Sequence, residues 1–74
     1  MKKFKNLNQL INEGGDNPII YLKNNKHVVV TNYETQKYMI VMRYNEESMI
    51  PEWSKIYDSK EKYINVLNRL LKQQ

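Results

Sequence analysis

Lys37-Tyr38-Met39-Ile40-Val41-Met42-Arg43-Tyr44 is the longest strongly apolar run in the chain, and both of its alternating faces are largely apolar. Side chains on a strand alternate between faces, so a strand of this composition has to be covered on one side at least. The rest of the chain reads as what pairs with this segment and what covers it.

Working outward, two further strands precede it. His27-Val28-Val29-Val30-Thr31-Asn32-Tyr33 is rich in β-branched residues, as is Ile19-Ile20-Tyr21-Leu22-Lys23. Between them, Asn24-Asn25 suits a two-residue type I′ turn, because Asn tolerates positive φ. Tyr33-Glu34-Thr35-Gln36 turns the chain into the third strand, and an antiparallel meander results. With these turns, Tyr21 lies opposite Val28, Val30 opposite Met39, and Val28 opposite Val41. One face then carries Ile19, Tyr21, Val28, Val30, Met39 and Val41, and the other Ile20, Leu22, Val29, Tyr38, Ile40, Met42 and Tyr44. Trp53-Ser54-Lys55-Ile56-Tyr57 is a candidate fourth strand beyond the polar, acidic segment 45–52.

Helices flank the strands. Asn6 to Glu13 reads as a short helix with Asn6 as N-cap and Gln9 three residues later, as in a capping box. Phe4, Leu7, Leu10 and Ile11 share one face, and Gly14-Gly15 supply the stop. A second helix runs from about Ser59 to Lys72, capped by Asp58 with Glu61 at the capping-box position. Tyr63, Val66, Leu67, Leu70 and Leu71 recur on it at helical spacing. The expected fold is α+β: a short N-terminal helix, three or four antiparallel strands and an amphipathic C-terminal helix.

Seventy-four residues make one small domain, residues 1–74. A chain of this size buries only about 60% of the surface its unfolded form exposes, so its stability is marginal. Small scaffolds commonly need a staple. The absence of Cys and the single His27 exclude disulfides, thiolate metal sites and His-rich metal sites. Oligomerisation or a bound partner is the staple that remains. Lys2, Lys3 and Lys5 begin the chain like a signal peptide, but Asn6, Asn8, Gln9 and Asn12 interrupt the apolar run a signal needs. Without a stretch of membrane-spanning length, the expected location is the cytoplasm.

Catalytic chemistry finds no foothold. His27 lacks a recognisable acid and nucleophile partner and reads as a hairpin-end residue. Glu46, Glu47 and Glu52 lack the ligand ladder and central Gly of a calcium loop, and Gly14-Gly15 is no phosphate loop. No cofactor is implied, and the expectation is a protein that is not an enzyme.

The basic residues offer one binding surface. Net charge is +4, carried mostly by Lys, which permits nucleic-acid contact without demanding it. Lys23 and Lys26 flank the first turn. Lys60 and Lys62 stand in the first turn of the last helix, against its dipole, and Arg69 lies further along it. The order helix–strand–strand–strand–helix resembles the double-stranded-RNA-binding domain, and Ser59-Lys60-Glu61-Lys62 stands where that family opens its last helix on a Ser-Lys-Lys run. The resemblance implies phosphate contacts from Lys60 and Lys62. The chain departs from the family at Glu61, at Tyr63 and in lacking its Gly-Pro-x-His loop.

The second apolar sheet face offers the other surface. If both helices pack on one side, several hundred Å² of apolar surface stay open, which marks a binding face. With the helices opposite them, Val28, Val30, Met39 and Val41 form that interface, and Trp53 and Met49 border it. The first expectation is therefore a small non-enzymatic interaction protein that binds a partner protein or a second copy of itself. Ten Asn and ten Lys match AT-rich codons, in keeping with an accessory protein of phage or prophage type. Nucleic-acid binding through Lys23, Lys26, Lys60, Lys62 and Arg69 is the alternative.

Overall fold

A computed structural model describes residues 2–45 and 47–74. The element order is α1 (Leu7–Glu13), β1 (Ile19–Tyr21), β2 (Lys26–Val30), β3 (Met39–Asn45), β4 (Trp53–Tyr57) and α2 (Lys60–Leu71). The four strands form one antiparallel sheet in the order β1-β2-β3-β4. The fold is α+β with a helix at each end, and the candidate fourth strand is part of the sheet.

Local chemistry sets the helix ends. The Asn6 side chain accepts the Gln9 N–H at 2.9 Å, and Gln9 reaches back to the Lys5 N–H, which is the reciprocal capping pattern displaced by one residue. Gly14 sits under Pro18, and a Cβ there would strike the Leu10 carbonyl and the Pro18 ring. Gly15 takes the left-handed conformation, φ 77°, which glycine adopts without steric cost. At α2 the cap is Ser59, whose Oγ accepts the Lys62 N–H at 3.3 Å, and not its neighbour Asp58.

Both helices pack on the same side of the sheet. Phe4 and Leu10 from the N-terminal segment, Ile20, Val28, Val30 and Val41 from the strands, and Tyr63, Leu67 and Leu70 from α2 form one buried cluster. The helices also touch each other. The Gln74 side chain ties the two ends of the chain together: its Nε2 donates to the Phe4 carbonyl at 2.8 Å, and its Oε1 accepts the Phe4 N–H at 3.2 Å.

The register of the first hairpin differs from the expected one by a single residue. Ile20 pairs with Val28 and Tyr21 with His27, because the loop has three residues rather than two. Leu22 N–H donates to the Lys26 carbonyl at 2.8 Å, and Asn24 and Asn25 both adopt positive φ. The Lys23 N–H is drawn to the Gln73 carbonyl beyond the end of α2, so it takes no part in the ladder. A slip of one residue exchanges the faces of a strand: Ile20 joins the core, and Ile19 and Tyr21 turn away from it.

The second turn is longer than expected. Val30 pairs with Val41 and Val28 with Arg43, a displacement of two residues that leaves every side chain on its expected side. Thr31 Oγ1 accepts the Ile40 N–H at 2.8 Å. The buried Asn32 donates to the Ile11 and Gly15 carbonyls, and its Oδ1 accepts the Glu34 N–H at 3.0 Å. This one side chain joins the end of α1 to the β2–β3 loop.

Candidate functional site: the open sheet face

With both helices on one side, the other side of the sheet is left to solvent. Cross-strand pairing arranges its residues in rows. Ile19, Val29, Met42 and Ser54 form the central row, Tyr21, His27 and Tyr44 a second, and Ile40 and Ile56 a third. Ile56 on the edge strand is 68% exposed and Ile19 37% exposed, while the central side chains are half-buried by their neighbours. Four strands spaced about 4.8 Å apart, paired over about five residues, give a patch on the order of 300 Å². That is the size of the largest apolar patches on monomeric proteins, which are often functional.

The second row is an aromatic stack. The His27 imidazole lies parallel to the Tyr44 ring, with centroids 5.1 Å apart and planes 4° apart, and Tyr21 leans on its other side at 5.9 Å. The Tyr44 hydroxyl donates to the Met42 sulfur at 3.8 Å, so the tyrosine folds back over the central row. His27 is therefore a packing element of this face.

The residues expected to form the interface lie elsewhere. Val28, Val30 and Val41 are fully buried beneath the helices, and Met39 packs against the same cluster. The arrangement that would have exposed them, with the helices on the opposite face, is not the one adopted. Trp53 pairs across the sheet with Arg43, on the helix side, where it is 42% exposed. Met49 and Ile50 project from the β3–β4 loop. Val29, Ile40, Met42 and Tyr44 share one face as expected, and what the sequence left open was which face the helices cover. Ile19 fell on the wrong face because the assignment of β1 hung on a one-residue choice of loop length; a three-residue reading of the Asn24-Asn25 turn would have placed Ile19 and Tyr21 beside Val29 and His27.

Lys23, Lys26, Lys60, Lys62 and Arg69 do not gather into one surface. Lys60 and Lys62 open α2, whereas Lys23 lies against the residues just past its other end, about 18 Å away along a helix of this length. Lys60 Nζ sits over the Tyr33 ring, 4.9 Å from its centroid. Lys26 donates to Glu52 at 2.5 Å. That hydrogen bond, with the Lys26 and Arg43 charges behind it, holds the Glu52 carboxyl below the usual carboxylate range. Arg69 is exposed in the last turn of α2, where a cation complements the helix dipole.

Of the acidic segment, Glu47 and Glu52 are described, and Glu46 lies outside the described residues, as does Met1. Among the described residues, no three His, Cys, Asp or Glu side chains come together, and no helix is long and apolar enough to cross a membrane. Comparison of the chain with family models, with curated proteins and with solved structures finds no match.

Proposed function

We propose that this chain is a non-enzymatic interaction protein whose open sheet face docks a second copy of itself. The observation that carries this reading is the placement of both helices on one side of an antiparallel sheet whose other side is also apolar. A sheet face of this kind is ordinarily either polar or covered. The residues of the face include no Lys, Arg, Asp or Glu. In a chain of net charge +4, docking like to like elsewhere would bring lysines together; here it would not. The same absence of cations weighs against phosphate-backbone binding on this face, although Tyr21 and Tyr44 are of the kind that stacks bases.

The size of the patch sets the strength. Two faces on the order of 300 Å² each fall short of the roughly 1,200 Å² of a stable standard interface, even when the rim is added. The association is therefore weak and reversible, in the micromolar range or above. A dilution series followed by NMR tests it. The methyl signals of Ile19, Ile40, Met42 and Ile56 should move with concentration, and those of core Val28 and Leu67 should not. Concentration-independent methyl signals would remove the self-docking reading and leave the face to a different protein.

A further inference from the structure

On the helix side, beside the C-terminal end of α2, a cavity of about 280 Å³ opens between the first hairpin and the last residues of the chain. It is lined by Leu22, Lys23, Asn24, Arg43, Lys72 and Gln73. Three of the six are cations and none is acidic. We propose that this cavity is a binding site for a phosphate group, supplied as free phosphate or as part of a small phosphorylated molecule.

Arg43 is the centre of the argument. Among the described residues its Nε is sealed from solvent and faces Glu52 Oε2 at 3.8 Å, while the side chain as a whole is 37% exposed, so the terminal nitrogens of the guanidinium are the ones a ligand can reach. Glu52 gives its short hydrogen bond to Lys26 instead. A guanidinium is shaped to give paired hydrogen bonds to a phosphate through those terminal nitrogens. Lys23 and Lys72 add point charges on two other walls, and Asn24 and Gln73 add amide donors.

Two features oppose an anion: the Glu52 carboxylate beside Arg43, whose hydrogen bond goes to Lys26, and the negative end of α2, equivalent to about half a charge. The helix end is already answered. The Asn68 and Arg69 carbonyls accept the Lys72 N–H, the Leu70 carbonyl accepts the Gln73 N–H, and the Leu71 carbonyl accepts Gln74 Nε2. The Gln73 carbonyl accepts the Lys23 N–H. Lys23 and Lys72 are in no ion pair among the described residues, so the cavity keeps a net positive charge beside the Arg43–Glu52 pair. Trp53, the cross-strand neighbour of Arg43 and the only tryptophan of the chain, does not line the cavity and serves as a fluorescence reporter beside it.

The test is an NMR titration of the whole chain with inorganic phosphate and, separately, with adenosine monophosphate, at ionic strength held constant with sodium chloride. Saturable shifts of the Lys23 and Asn24 amides and the Arg43 Nε–H, weakened about tenfold or more in Arg43→Gln and in Lys72→Gln, support the site. Lys72 lies exposed past the end of α2, so the second variant keeps the fold even if the first does not. Tighter binding of the nucleotide with quenching of Trp53 fluorescence identifies a phosphorylated small molecule as the ligand. Equal affinities without quenching identify phosphate alone. Shifts reproduced by sodium chloride, shifts that never saturate, or equal affinity in the folded variants overturn the proposal.

Discussion

The Tyr63 hydroxyl lies 2.9 Å from both the N–H and the carbonyl oxygen of Thr31. It accepts from the first, and it donates to the second or to the Ile40 carbonyl at 3.0 Å. Tyr63 thus closes the mouth of the β2–β3 hairpin with a side chain from α2, between the rings of Tyr33 and Tyr57. The position of α2 over the sheet, and so the bareness of the other face, depends on this anchor.

Tyr63→Phe should keep the ring packing and remove the hydroxyl. It removes one of the two acceptors of the Thr31 N–H, which keeps the Ile40 carbonyl at 3.1 Å, together with the hydroxyl's own donation, so a loss of about 0.5–1.5 kcal/mol is expected in urea denaturation.

Alkaline pH offers a second test of the same group. Burial pushes the Tyr63 phenol above its usual range, against the pull of the Thr31 hydrogen bonds. The unfolded chain then loses its proton first, from about pH 10. The neutral phenol's contribution is complete below that value and falls as pH rises toward the folded-state value. The stability difference between the parent and Tyr63→Phe should shrink between about pH 9.5 and 11. A difference that stays constant through this window would contradict the burial of an ionisable anchor.

Glu52 has the opposite sign. Its carboxyl is held low by the Lys26 hydrogen bond, so its contribution is present above the ordinary carboxylate value of about 4.3 and lost as pH falls through the lowered one. Glu52→Gln should lower the thermal midpoint slightly at pH 7 and have no effect near pH 2. The residue is exposed, and the change should diminish in high salt.

Much of this architecture was legible from short-range signals. The Asn6 cap, the Gly14-Gly15 stop and the Tyr63-Leu67-Leu70 stripe each depend on residues a few positions apart, and each appears in the structure. The β4 segment from Trp53 to Tyr57 was legible in the same way. What was not legible is long-range. Asn24-Asn25 suits a two-residue or a three-residue loop, and the decision rests with Lys23 N–H and the Gln73 carbonyl at the other end of the chain. The length of the second turn rests with Asn32, whose partners lie in α1 and the residues after it. Because strand faces alternate, the first of these contacts determined which side of β1 became core. Neither helix carries in its own sequence the side of the sheet on which it packs. The cavity around Arg43 is assembled from three separate segments, and a lone arginine on a strand gives no sign of it.

Core and open-face substitutions should separate cleanly. Val30, 1% exposed, belongs to the core, so Val30→Glu should cost more than about 3 kcal/mol and unfold a domain of this size. Ile56→Lys, on the exposed edge of the other face, should change stability by less than about 0.5 kcal/mol. Circular dichroism during thermal melting distinguishes the two.

The most direct measurement is the solution mass by light scattering across a concentration series from about 10 μM to about 1 mM, centred on the weak association expected for a face of this size. It would be made on the parent chain and on a variant carrying Ile56→Lys and Met42→Lys. The parent mass should rise from one chain toward two across the series. The variant, folded by circular dichroism, should remain at one chain throughout. A parent that stays monomeric at the highest concentration, or a variant that associates as the parent does, would contradict the claim that the open sheet face docks a second copy.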